Sequence, residues 1–254
     1  MSVIITLVAR KGGCGKTSLC IHLAGLLAAE ELAVRLVDLD SQSSLSQFFL
    51  GSQAVERLAP AETVEACFGG AAPEAVEVKT KVDGVTLLPA HLKLNVGRDA
   101  ELNLRSAGPD ITLVDTPPDL NNPVVRAALL TSDFVLSPVD PEAFGAQSVL
   151  SVQQALQAVA IGFNPRLRLL GFVVNKRARL AVHGIIEDTL RRLHGDTVFE
   201  AVVPDLKDFK EAILAGLPIT SYQPGGKAAA ALSRLSEEIF RRIERAAKPK
   251  KEAA

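Results

Sequence analysis

With 254 residues and 48% hydrophobic side chains, the chain can bury a sizeable core in one large α/β domain, and no linker-like stretch divides it. Its 28 basic and 29 acidic residues nearly cancel, which argues against a surface that coats polyanions indiscriminately. Three scattered cysteines, Cys14, Cys20 and Cys67, form no C-x-x-C pair, and no apolar run approaches the ~18 residues of a membrane span. The expectation is therefore a soluble cytoplasmic protein without disulfides, zinc or iron–sulfur clusters.

The first apolar run, residues 3–9, leads into Lys11-Gly12-Gly13-Cys14-Gly15-Lys16-Thr17-Ser18 and then into Leu19, Ile21, Leu23, Leu26 and Leu27. That order reads as strand, glycine loop, helix, the context a phosphate loop requires. The glycines let backbone N–H groups turn inward around a phosphate, and the helix start adds unpaired donors and a positive dipole end. Lys16 is expected to reach the β- and γ-phosphates, and the Thr17 hydroxyl to ligate Mg²⁺. Where the general G-x-x-x-x-G-K-[ST] pattern has its first glycine, this chain has Arg10, followed by a second lysine.

With that second lysine the segment resembles the deviant Walker A motif, K-G-G-x-G-K-[ST], of the ParA/MinD family of ATPases. The resemblance implies that Lys11 crosses a dimer interface to the nucleotide of the other subunit, and so a nucleotide-sandwich homodimer.

Further β-branched apolar runs occur at residues 33–39, 85–89, 111–115, 134–139, 169–174 and 198–203. Most are continuous rather than alternating, with helix-length segments between several of them, as in strands buried on both faces of a parallel sheet. The fold class expected is a doubly wound, mostly parallel sheet flanked by helices. Chemistry is then sought at the carboxyl ends of the strands.

The second run ends in Asp38-Leu39-Asp40-Ser41-Gln42, two carboxylates placed to hold the waters of a metal or orient an attacking water. The family resemblance assigns Asp40 to the hydrolytic water, with Ser41 standing where the D-x-D-P-Q element has proline. Residues 51–84 read as short helices and loops. They and residues 92–104 are where partner choice is expected to reside. Residues 111–118, ending Asp115-Thr116-Pro117-Pro118, have the form of a Walker B strand, with Asp115 holding Mg²⁺ through a water. Thr116 stands where many ATPases carry a glutamate base, so turnover is expected to be slow, that of a timer.

A long helix is expected over 142–160. At the next strand end, Asn175-Lys176-Arg177-Ala178 lacks the carboxylate of a guanine signature, which favours adenine. The resemblance places Asn175 against adenine and closes Pro204 and Asp205 over the base.

Residues 176–254 carry 15 basic and 11 acidic side chains, against 13 and 18 in residues 1–175, so any polyanion contact belongs in the last third. A helix over 180–194 holds Arg191 and Arg192 in its last turn, positions that also suit a helix dipole. Lys207, Lys210 and Lys227 follow, the last in a Tyr-x-Pro stretch similar to one preceding the family's C-terminal helix. That helix carries Leu232, Leu235, Ile239 and Ile243 on one face and Arg241, Arg242 and Arg245 elsewhere. The arginines read either as a solvated face or as a surface for DNA without sequence preference. The tail is lysine-rich with no bulky apolar residue, so residues 247–254 are expected to be disordered and 1–246 to form one P-loop domain. It lacks the apolar face of a MinD-like membrane-targeting helix, and stable membrane binding is not expected.

By resemblance, then, the chain is a Mg²⁺- and ATP-dependent partition ATPase of plasmid or chromosome segregation. It would be homodimeric, bound to the nucleoid through non-specific DNA, and stimulated by a ParB-like adaptor. A nucleoid-using positioner of a protein cargo shares every motif, and a MinD-like membrane positioner is the further alternative.

Overall fold

In the computed structural model, residues 2–247 are described apart from 95, 98, 107, 143 and 144, with backbone alone for 145–148. The continuous apolar runs become five- to seven-residue strands: β1 (Val3–Leu7), β2 (Val34–Asp38), β5 (Ile111–Asp115), β6 (Phe134–Val139) and β7 (Arg168–Val174). With β4 (Val85–Leu88) and a two-residue β3 (Val78–Lys79) they form one sheet in the order β3-β4-β2-β5-β1-β6-β7. Every pairing is parallel except β3 with β4. β1 lies between β5 and β6, so its loop emerges where the winding reverses direction, the usual ligand crevice of such sheets.

Helices cover both faces. On one lie α1 (Lys16–Ala29), α2 (Ser44–Leu50), α8 (Lys207–Leu214), α9 (Ile219–Tyr222) and α10 (Lys227–Ala247). Their Leu19, Leu23, Leu45, Ile219, Leu232 and Leu235 pack with Ile5 and Leu7 of β1. Each such leucine contributes about 2 kcal/mol by leaving water. On the other face, α5 (Pro123–Thr131), α6 (Gly145–Gly162) and α7 (Ala181–His194) bury Val125, Leu129, Val149, Val152 and Leu190 against Val135, Phe172 and Val174. Ile4, pointing opposite to Ile5, joins Val64 and Cys67 beneath the short helices α3 (Ser52–Val55) and α4 (Glu65–Phe68) and their neighbouring loops.

Arg35 is the largest fully buried side chain. Its guanidinium donates to Glu77, Glu74 and the Ser106 hydroxyl, which ties the irregular 73–79 segment to the middle of the sheet.

Four expectations need correction. Residues 198–203 do not form a strand. They run beside β7 with only the Phe172–Val198 and Arg177–Pro204 bridges, because the buried Glu238 carboxylate takes the N–H groups of Glu200 and Ala201 (3.0 and 2.8 Å). Within 51–84, read as helices and loops, the edge strand β3 also forms. The helix expected from residue 142 begins at Gly145. α10 extends to Ala247, one residue into the expected tail, and residues 248–254 lie outside the described residues.

Candidate active site

The loop after β1 is shaped by two left-handed glycines, Gly13 (φ 81°) and Gly15 (φ 91°), backbone that L side chains seldom adopt. Gly15 is constrained twice, since a Cβ there would stand 2.3 Å from the Asn175 amide nitrogen. Lys16 opens α1 and is itself buried. Cys14 is buried, its thiol donating to the Lys11 carbonyl, and burial pushes its pKa up, so it stays a neutral thiol.

The strand ends bring the carboxylates to this loop. In the sheet register Asp38 of β2 stands beside Asp115 of β5. Thr17 Oγ1 donates to Asp115 Oδ2 at 2.5 Å, while the other oxygen, Oδ1, is buried with no partner. Burial, then the neighbouring Asp38 charge, push the Asp115 carboxyl up to about 7, against the opposing pull of Thr17 and Lys16. A buried carboxylate with an orphaned oxygen beside a threonine hydroxyl fits a hard divalent cation, which prefers oxygen ligands and favours ionised carboxyl groups. Thr17 and Asp115 are the residues that would hold Mg²⁺.

Asp38 is fully buried and raised to about 6 by that burial. Hydrogen bonds from the Ser46 N–H, the Ser46 hydroxyl and the Asp40 N–H (2.8, 2.7 and 3.1 Å) oppose the shift. Asp40 is half-buried, and its Oδ1 accepts from Gln42 N–H at 3.0 Å. Asp38 thus braces the turn that presents Asp40, a division of labour the D-x-D spacing alone left open. At the position after Asp115, the Thr116 hydroxyl donates to the Leu7 carbonyl (2.7 Å) and offers no base.

A cavity of about 240 Å³ opens beside the loop, lined by Gly15, Ser18, His22, Asn175, Pro204 and Asp205 together with α8. Asn175, Pro204 and Asp205, proposed from the sequence as base contacts, are brought together there. Asn175 spends its amide N–H on the Cys14 carbonyl (2.7 Å), leaving its carbonyl oxygen as the group that could accept from a base. Lys11 lies on the exposed flank of the loop in an ion pair with Glu142. Glu142 carries no site reading from the sequence, and Lys176, which donates to the Gly13 carbonyl, entered it only as part of the Asn175–Ala178 segment.

The eight basic residues proposed for DNA divide. Arg242 is not free for phosphate. All five of its N–H groups are committed to Glu238 and to the carbonyls of Leu170, Asp196 and Val198, and its guanidinium lies 4.0 Å from the centre of the Phe199 ring. Arg191 is likewise drawn inward, to Glu187 and the carbonyls of Phe199 and Glu200. Lys207 and Lys210 are exposed but paired, with Glu211 and Asp205. Arg192, Lys227, Arg241 and Arg245 are exposed. Arg241 and Arg245 rim a cleft of about 440 Å³ between α10 and the end of α7.

Residues 5–219 match the family profile described as the CobQ/CobB/MinD/ParA nucleotide binding domain. The chain is 36% identical over 255 residues to the chromosome-partitioning ATPase Soj of Thermus thermophilus, covering 95% of this chain and 97% of that one. Among solved structures, the cell division ATPase MinD of Pyrococcus furiosus is 26% identical, covers 95% of this chain and 99% of its own, and superposes with a TM-score of 0.76. The septum site-determining protein MinD of Pyrococcus horikoshii, solved with Mg-ADP, shares the fold with a TM-score of 0.72 at 23% identity, covering 98% and 100%.

Proposed function

Because the chain belongs to the CobQ/CobB/MinD/ParA nucleotide-binding family, we propose that it is a partition-type ATPase, an ATP-timed switch that holds and releases DNA. The observation that carries the reading is the convergence at one crevice of the Lys16 loop, the Thr17–Asp115 pair with its orphaned oxygen, and the Asp38–Asp40 turn. When bound there, Mg²⁺ would neutralise phosphate charge. Lys16 would hold the β- and γ-phosphates, Asn175, Pro204 and Asp205 would surround adenine, and Asp40 would position the water.

Two features support a switch over a fast catalyst. Thr116 is tied to Leu7 where a strong base would stand, so hydrolysis waits on a stimulating ParB-like partner. Lys11 is exposed beside the loop, and exchanging its ion pair with Glu142 for the nucleotide of a second copy would close a sandwich dimer. Arg192, Lys227, Arg241 and Arg245 supply the cations for sequence-independent phosphate contact. Among the described residues no helix is long and apolar enough to cross a membrane, and a nucleoid-bound cytoplasmic role is part of this proposal.

The test is binding to a random-sequence duplex at two salt concentrations, with ATP, with ADP and without nucleotide. ATP-dependent, salt-sensitive binding is expected. No binding under any nucleotide would overturn the DNA-using switch and leave the ATPase core standing.

A further inference from the structure

We infer that Lys176 is a positioning residue of the phosphate loop, acting with Asn175 as a two-point clamp on consecutive loop carbonyls. The inference rests on the nucleotide reading of that loop. Lys176 has φ 55°, one of three non-glycine residues with positive φ among those described. Side chains rarely tolerate that region, and it persists only where the surrounding structure over-determines it. Here the enforcement comes from both sides: Asn175 N–H donates to the Val139 carbonyl (2.9 Å), and Arg177 N–H to that of Val203 (3.1 Å). Between these anchors the chain must kink at residue 176, and the kink turns the lysine back over the loop.

Its ammonium donates to the Gly13 carbonyl, while the Asn175 amide donates to the next carbonyl, Cys14. A trans peptide sets its N–H opposite its C=O. Pulling the Gly13 and Cys14 oxygens toward the end of β7 therefore directs the N–H groups of Cys14 and Gly15 the other way. No oxygen of the described residues accepts from either N–H. Two consecutive N–H groups that no oxygen takes up are what an anion nest needs, and holding them in place before the phosphate arrives removes the ordering cost from binding. The charge of Lys176 also opposes the burial that raises the Asp140 carboxyl.

The experiment compares Lys176→Met, Lys176→Gly and Lys176→Arg by calorimetric affinity for ATP, ADP and AMP, together with thermal midpoints. The Met and Gly variants are expected to bind ATP and ADP alike about tenfold more weakly, with AMP, which lacks a β-phosphate, unchanged. The Arg variant should recover most of the loss. Glycine relieves the backbone constraint, so that variant should melt at least as high as the parent, which separates a failed clamp from a failed fold. Unchanged ADP affinity in the Gly or Met variant would overturn the inference, as would a loss confined to ATP, the sign of direct γ-phosphate contact. Lys16→Ala is the control for the underlying reading: if that variant keeps its ATP affinity, the nucleotide site itself has been misplaced.

Discussion

The crevice at the carboxyl ends of β1, β2 and β5 and the surface built from α7, α8 and α10 both carry many charges, yet they hold them differently. In the crevice Lys16, Asp38 and Asp115 are buried, and Asp115 Oδ1, buried without a partner, is the oxygen a cation would take. On the helical surface the positive charge is partly spent on the protein itself, with Arg242 and Arg191 bonded to carbonyls and glutamates and Lys207 and Lys210 answered by acids. Spacing inside a glycine loop dictates geometry because the backbone has few ways to run there. A count of arginines dictates none. Charge that is structural and charge that is available look alike in a sequence and diverge only when the fold is drawn around them.

The largest effects should separate the two regions. Lys16→Ala is expected to weaken ATP binding by more than about a hundredfold, because it removes the cation proposed to hold the β- and γ-phosphates. Isothermal titration checks this, and retained affinity would break the assignment of the crevice. Arg242→Ala should instead cost about 3 kcal/mol of stability in urea unfolding, since it strands three carbonyls and the buried Glu238. Arg242→Lys should recover only part, because an ammonium cannot serve four acceptors arranged around a planar fork. Were Arg242→Ala as stable as the parent and defective only in DNA binding, the distinction between structural and available arginines would fail at its clearest example.

Much of this was legible in the residues. Runs such as 111–115 are continuous because both faces of their strands are covered, and all but one of the expected runs became strands. The exception, 198–203, has the right residue types but loses its ladder to Glu238, some forty positions away, a competitor no window of sequence displays. β3 was missed because two residues show no periodicity. The motif residues Thr17, Asp38, Asp40 and Asp115 meet at one crevice. The supporting ones, Ser46 under Asp38 and Lys176 over Gly13, reach the site from other elements. The inward turn of Arg242 did leave a trace. Seven positions after the core Leu235 and three after Ile239, it lies beside the apolar stripe, whereas Arg241 lies off it.

An intermediate effect comes from His22, where α1 meets α8 and α9. Its Nδ1 accepts from the Ile219 N–H (3.1 Å) beside the Phe209 ring, and burial lowers its pKa to about 4. The unfolded chain, with a histidine near 6.5, takes up a proton that the folded chain refuses. Stability from this group is complete above pH 6.5 and lost as pH falls toward 4, about 2 kcal/mol between pH 7 and 5. Asp38 and Asp115 are raised, so they act in the opposite direction over part of this range. The measurement is therefore the difference between the parent and His22→Gln across pH 5–7. It should narrow steadily toward acid as the parent loses its advantage, and a difference constant with pH would place the histidine's proton elsewhere.

The smallest effect in energy is the one that decides the second region. Arg241 and Arg245 rim the cleft beside α10, exposed, one and three residues from the fully bonded Arg242. Reversing both to glutamate should leave stability within about 0.5 kcal/mol, as for surface changes that remove no packing. If this face meets the phosphate backbone, duplex affinity in the presence of ATP should fall about tenfold at moderate salt. The dependence of log affinity on log salt should flatten by about one for each phosphate no longer neutralised. Because counterion release depends on how many phosphates are met and not on which bases they join, the same flattening must appear on unrelated duplexes. A weakened but equally steep salt dependence would mean that the reversal perturbs ATP-driven assembly, and the DNA-facing surface would then have to be sought on Arg192 and Lys227 instead.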